Sequence, residues 1–210
     1  MITKFGPALL AAIVSLPLAT GIGSPAAAQD AAAQPVNVRG SVVNFADGTL
    51  DVRTREGETV DITLANGWMV SGVAGADISD IKPGDYVGIA SLPTADGGDG
   101  ALEVLIFPSA LKGTGEGSFG WDLKPNSTMT NATVADAVTS VDGQTVTVSY
   151  HGKEKTIAVP QGTPVVTFAP ATKSDLKPGA VVFIPARKAA DGTMTAQRIV
   201  VGTNGVVPPM

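Results

Sequence analysis

Ser79-Asp80-Ile81-Lys82-Pro83-Gly84-Asp85-Tyr86-Val87-Gly88-Ile89 recurs 95 positions later as Ser174-Asp175-Leu176-Lys177-Pro178-Gly179-Ala180-Val181-Val182-Phe183-Ile184. A match at fixed offset is the mark of an internal repeat. Gly57 and Gly152, and Gly67 and Gly162, stand at the same spacing. The surrounding parts follow one order. A strand-like run ends in Asp-Gly, at Asp47-Gly48 or Asp142-Gly143, and an alternating run follows with Leu50 and Val52 or Val146 and Val148. A third run ends at Leu64 or Val159, the Lys-Pro-Gly segment comes next, and a second Asp-Gly (Asp99-Gly100, Asp191-Gly192) precedes a closing apolar run. The copies span 36–109 and 133–203, with 110–132 as connector and 204–210 as a frayed tail.

Period-two alternation bounded by Asp-Gly turns predicts antiparallel hairpins, because a tight hairpin needs positive φ and glycine takes it freely. Pro then Gly at the centre of Lys-Pro-Gly sets a turn directly before a strand. The residues just before it, 77–81 and 172–176, suit one short helical turn. No segment after the first thirty residues carries a sustained helical period. Each copy therefore holds five or six short strands, and closure is the economical way to remove exposed edges. The expected fold is all-β: two tandem small antiparallel β-barrels, OB-like, joined by an ordered connector.

The first residues read as an export signal. Lys4 precedes an apolar stretch from Pro7 to Leu18, and Ala26-Ala27-Ala28 supplies small residues for cleavage near Ala28. Pro17, Gly21 and Gly23 interrupt it, and it falls short of the roughly 20 apolar residues a membrane span needs. The expectation is a periplasmic or secreted protein with no membrane span after cleavage. The chain has no cysteine, which rules out disulfides and thiolate chemistry. Its net charge of −5 argues against nucleic acid, which needs a basic footprint. Charge is uneven: residues 36–109 hold four basic and eleven acidic residues, and 133–203 hold seven and five.

The connector is glycine-rich at Gly113, Gly115 and Gly117 but carries Phe119, Trp121, Leu123 and Met129, which a free polar linker would lack. With the Asp-Gly, Lys-Pro-Gly and closing-strand pattern, each copy resembles a bacterial family of exported domains of unknown function with an OB-like barrel. The pattern shared with that family includes a Ser-Asp-Leu-Lys-Pro-Gly segment, seen here at Ser174 to Gly179. The stretches 115–117, 121–123 and 127–133 resemble envelope proteins of the same kind, some of which are labelled as metal transport permeases. The resemblance implies a fold and an envelope location, and it brings no catalytic residues.

Chemical motifs are sparse. His151 is the only histidine and sits in a hairpin turn, so it cannot build a clustered zinc site. Asp96, Asp99 and Glu103 are too few and wrongly spaced for a calcium loop. Gly113-x-Gly115-x-Gly117 lacks the Lys-Ser/Thr of a phosphate loop. Asn126-Ser127-Thr128 and Asn131-Ala132-Thr133 match the glycosylation pattern by chance in a bacterial-looking chain. No metal or other cofactor is expected. Glu116, Phe119, Trp121 and Asp122 are the candidate contacts, because two carboxylates flank two aromatic rings there. The function expected is a periplasmic, non-catalytic binding or assembly module. Its partner would be another envelope protein, a peptide or a glycan. The alternatives are an envelope hydrolase using carboxylates near the connector, or an accessory factor in metal handling.

Overall fold

Each half of the chain lays down a three-strand meander and then a two-strand hairpin. The computed structural model describes residues 33–140 and 143–208. The expected signal segment 1–28 with its cleavage near Ala28, Asp142 of one Asp-Gly turn, and the last two residues of the tail lie outside them. The strands are β1 (Gln34–Ala46), β2 (Thr49–Thr54), β3 (Thr59–Gly75), β4 (Tyr86–Pro93), β5 (Asp99–Phe107), β6 (Gly117–Gly120), β7 (Thr128–Ser140), β8 (Gly143–Tyr150), β9 (Lys153–Pro160), β10 (Val165–Ala169), β11 (Val181–Lys188) and β12 (Met194–Gly202). Three short 3-10 turns are the only helical pieces among the described residues, and none of these is long or apolar enough to cross a membrane.

The turns follow from local chemistry. Asp47-Gly48 and His151-Gly152 take positive φ at both central positions, which matches the right-handed twist of the strands they join. In both Lys-Pro-Gly segments the glycine has positive φ, and the turn closes by Asp85 N–H donating to Lys82 O and Ala180 N–H to Lys177 O. Just before each turn a 3-10 turn forms at Ile78–Asp80 and Lys173–Asp175. The Asp80 and Asp175 carboxylates accept from the backbone N–H groups of Asp77 and Thr172.

Strand pairing departs from the expected division into one barrel at 36–109 and a second at 133–203. β1, β2 and β3 form an antiparallel meander, but β1 pairs next with β11, β11 with β12, and β12 closes in parallel on β3. This closed five-strand barrel takes three strands from the first copy and two from the second. β4 and β5 go the other way. β4 pairs with β7, β7 with β8, β8 with β9, and β5 meets β9 in parallel at Asp99 and Gly100. The hairpin β4–β5 thus joins the meander β7–β9, and the hairpin β11–β12 joins the meander β1–β3. The length of β3 is the physical cause. It does not stop at Leu64 but continues through a bulge at Gly67 to Gly75, a contour of roughly 55 Å at ~3.3 Å per residue. It carries the chain out of the first ring and delivers β4–β5 to the second. β10 lies antiparallel to the end of β3 and parallel to β5, which seams the two rings.

Three apolar clusters fill this frame. Val42, Leu50, Val52, Ile62, Ile184 and Ile199 fill the first ring. Val87, Ile89, Val104, Val146, Val148 and Ile157 fill the second. A third lies between them, built on Val73, Leu105, Val166, Phe183 and Val200, with Phe107, Trp121 and Phe168 packed against it. Two further differences concern the ends of the copies. β7 begins at Thr128, inside the expected connector, because its Thr/Asn composition hides the alternation. The expected frayed tail turns back instead: Thr203 donates from N–H and hydroxyl to Val73 O, and Val206 packs on the third cluster.

Candidate ligand pocket beside the connector

All residues from Tyr86 to Ser91 are buried, on both faces of β4. Val87 and Ile89 point into the second ring. The opposite face, with Tyr86, Gly88 and Ala90, is covered by the connector. β6 continues along the edge of β7, with Phe119 opposite Met129. The Tyr86 hydroxyl donates to Thr114 O, Lys112 Nζ to Gly84 O and Asn131 Nδ2 to Gly115 O, each at 3.1 Å. Glycines therefore form a strand here despite their flexibility, because a strand edge and three side chains hold them.

Under this strap is a cavity of about 100 Å³, lined by Gly88, Glu103, Leu105, Phe107, Phe119, Trp121, Met129 and Asn131. It exists because Gly88 has no side chain. A Cβ there would lie 2.8 Å from Asn131 Oδ1 and 3.2 Å from the Phe107 ring. On β5, Val104 faces the core, so its neighbours Glu103 and Leu105 face the cavity. Glu103 is 7% exposed, which places a carboxylate in an otherwise aromatic and aliphatic wall.

Trp121 closes one side and ties the strap to the first ring. Its ring lies 6.2 Å from Phe119 and 6.3 Å from Phe183, centroid to centroid. The Arg39 guanidinium stands 5.5 Å from the Trp121 centroid and 5.1 Å from that of Phe183. Arg39 Nη2 donates to Asp122 Oδ1 at 2.7 Å, and Asn37 Nδ2 donates to both Asp122 oxygens at 3.1 Å. Burial pushes the Asp122 carboxyl up, but the bonds from Arg39 and Asn37 outweigh it and its pKa is lowered on balance. The Trp121 indole N–H is buried and finds no acceptor among the described residues.

Of the four residues singled out from the sequence, Phe119 and Trp121 meet at the pocket. Glu116 and Asp122 do not. They stand at opposite ends of β6, up to about 20 Å apart along an extended strand. A glycosidase pair needs roughly 5–10 Å. Each is also occupied: Glu116 Oε1 accepts from His151 N–H at 2.9 Å, while Asp122 holds Arg39. His151 is exposed at the β8–β9 turn. Asp99 ends in an ion pair with Lys155 at 3.4 Å, away from Glu103, so the acidic loop does not converge. Among the described residues no group of three or more His, Cys, Asp or Glu side chains is placed to hold a metal.

Gly88, Glu103, Phe107 and Asn131 were not legible as site residues. Glu103 gave the one usable signal, a lone charge in the apolar run 102–107. A second polar cluster, Lys155 with Asp99, Ser91 and Thr128, caps one mouth of the second ring. Ser91 has no exposed surface, so its hydroxyl cannot meet a substrate and the cluster is a plug. Comparison with known protein families, curated proteins and solved structures finds no match.

Proposed function

We propose that this chain is an exported, non-catalytic binding module of the bacterial envelope, made of two OB-like barrels that exchange their second hairpins. Each circuit of five strands closes through a parallel contact, β3 with β12 and β5 with β9, in keeping with a small Greek-key barrel. The export reading rests on Lys4, the apolar stretch and Ala26 to Ala28, together with the family resemblance. One observation carries the binding reading: an aromatic strap closes a small apolar pocket, with one carboxylate in its wall, over a glycine floor. Few convergent polar groups in a mostly apolar concavity are the usual make-up of a ligand site. The hydrolase alternative loses its motivation, because its two carboxylates are apart and engaged.

The test is a small-molecule screen by amide and indole NMR on the chain without its first 28 residues. Ligands are expected to shift the Trp121 indole N–H and the Gly88 amide and to leave Trp68 unmoved. A set of ligands that shifts other residues and never these two would reject the pocket as the site.

A further inference from the structure

The connector leaves one strand edge open. β6 pairs with β7 alone, and no other strand lies on its outer side among the described residues. The direction of its free groups follows from the register. Trp121 N–H donates to Ser127 O at 2.8 Å, in register with the pairs Phe119–Met129 and Gly117–Asn131. Bonding alternates along an antiparallel ladder. Phe119 and Gly117 therefore bond to β7, and Ser118 and Gly120 turn their N–H and C=O groups outward. Ser118, Phe119 and Gly120 are all exposed. Apart from its chain neighbours, no atom lies within 4 Å of the place a Cβ on Gly120 would take. Two donors and two acceptors, carried two residues apart, are the complement of one extended chain. Open edges invite such pairing, and proteins commonly guard them with charge or proline. β9 is guarded so: its outer side pairs only at Ile157 and Ala158, and it carries Lys153, Glu154 and Lys155 and ends in Pro160. β6 reads Gly-Ser-Phe-Gly, with neither charge nor proline. What flanks its edge is apolar. Phe119 is 42% exposed and lines the pocket over Gly88 from the edge side.

We propose that β6 accepts an extended segment of a partner polypeptide as an added strand, with an apolar side chain of that segment laid on Phe119 at the pocket mouth. The proposal rests on the binding reading above and names its partner as a polypeptide. In an antiparallel addition the residue opposite Phe119 takes a non-hydrogen-bonded position, where side chains stand closest, and its two neighbours bond to Ser118 and Gly120. The experiment is NMR titration with amide exchange on the chain without its first 28 residues. The probes are a blocked Lys-Thr-Thr-Phe-Thr-Thr-Lys peptide, the same peptide N-methylated at the threonines beside Phe, and toluene as a free apolar guest. At saturation the first peptide should slow exchange of the Ser118 and Gly120 amides and shift Trp121. The N-methylated peptide should bind roughly tenfold more weakly or not at all, the worth of one or two hydrogen bonds. Gly120→Pro removes one outward donor and keeps the bonds to β7, a place where an edge strand tolerates proline. It should weaken the first peptide by roughly fivefold or more, while toluene still shifts Trp121 and Gly88. Should Gly120→Pro fail to fold, the comparison of the two peptides on the parent chain decides alone. Equal binding of the two peptides, or binding without protection at Ser118 and Gly120, would overturn the added strand. So would protection of those amides in the chain alone that grows with its concentration, which would assign the edge to a second copy. Toluene shifting Trp121 and Gly88 with no response to either peptide would overturn the strand and leave the pocket a ligand site. No response to any probe, at the edge or at Trp121 and Gly88, would overturn both.

Discussion

Trp121→Ala should cost about 2–3 kcal/mol of stability. A fully buried Trp→Ala change costs about 3–5 kcal/mol, and Trp121 is only partly buried, so the lower part of that scale applies. The loss combines the contacts with Phe119 and Phe183 and the stacked Arg39 guanidinium. Arg39 would also lose one wall of its niche while 9% exposed, which keeps the effect well above that of a surface substitution. In a chain of this size 1 kcal/mol moves Tm by about 2–4 °C, so the expected fall is roughly 5–10 °C. Circular dichroism melts and urea titration at one pH would read it. Phe119→Ala is the control: Phe119 is 42% exposed, and its loss should cost about 1 kcal/mol or less. A Trp121→Ala shift below about 2 °C, or one no larger than that of Phe119→Ala, would refute the reasoning and leave the connector without a structural role.

Two further outcomes follow from the same geometry. The Asp122 pKa is lowered in the folded chain, so its contribution to stability is present above the unfolded carboxyl pKa and is lost as pH falls through the folded one. Urea titrations from pH 6 down to pH 2 should therefore show an acid-side loss that shrinks in Asp122→Asn, and an unchanged acid limb in that variant would contradict the assignment. Gly202→Ala should destabilise by about 1–3 kcal/mol through overpacking, because a Cβ there would collide with Val206 O and lie 3.2 Å from Pro208 Cδ. A melt unchanged by that substitution would mean that residues 203–206 do not pack on β3.

Local structure was readable where one residue type dictates one conformation. Gly84 and Gly179 take the positive φ that follows Pro in a tight turn, and Asp47-Gly48 makes the expected hairpin. The core alternation of β8, with Val146 and Val148 inward, was equally plain. The exchange of hairpins was not, for a physical reason. The hairpins β4–β5 and β11–β12 both read as short apolar strands, so their pattern alone does not say which meander each one joins. The choice is made by the run of β3 past Gly67, where a glycine that usually ends a strand only bends it. Charge shows the same effect. The acidic residues of the first half do not stand alone, since β11 brings Lys188 into the same surface hollow as Glu56 and Glu58. Half of the site was legible, because Phe119 and Trp121 are out of place in a glycine-rich linker. The other half comes from the outer faces of β4, β5 and β7, whose role appears only once the connector covers them.

The exchange itself is open to one direct test. Gln34 and Lys188 are exposed cross-strand partners of β1 and β11, and the chain contains no cysteine of its own. Paired positions in a ladder bring Cα atoms to about 4.5–5.5 Å, within reach of a disulfide. Gln34→Cys with Lys188→Cys should form an intramolecular disulfide under mild oxidation, seen as a mass loss of about 2 Da, one hydrogen per thiol, and faster migration on a non-reducing gel. Gln34→Cys with Pro93→Cys, the pair that tandem barrels would bring together, should not. The reverse outcome, a bond to position 93 and none to position 188, would contradict the exchanged architecture.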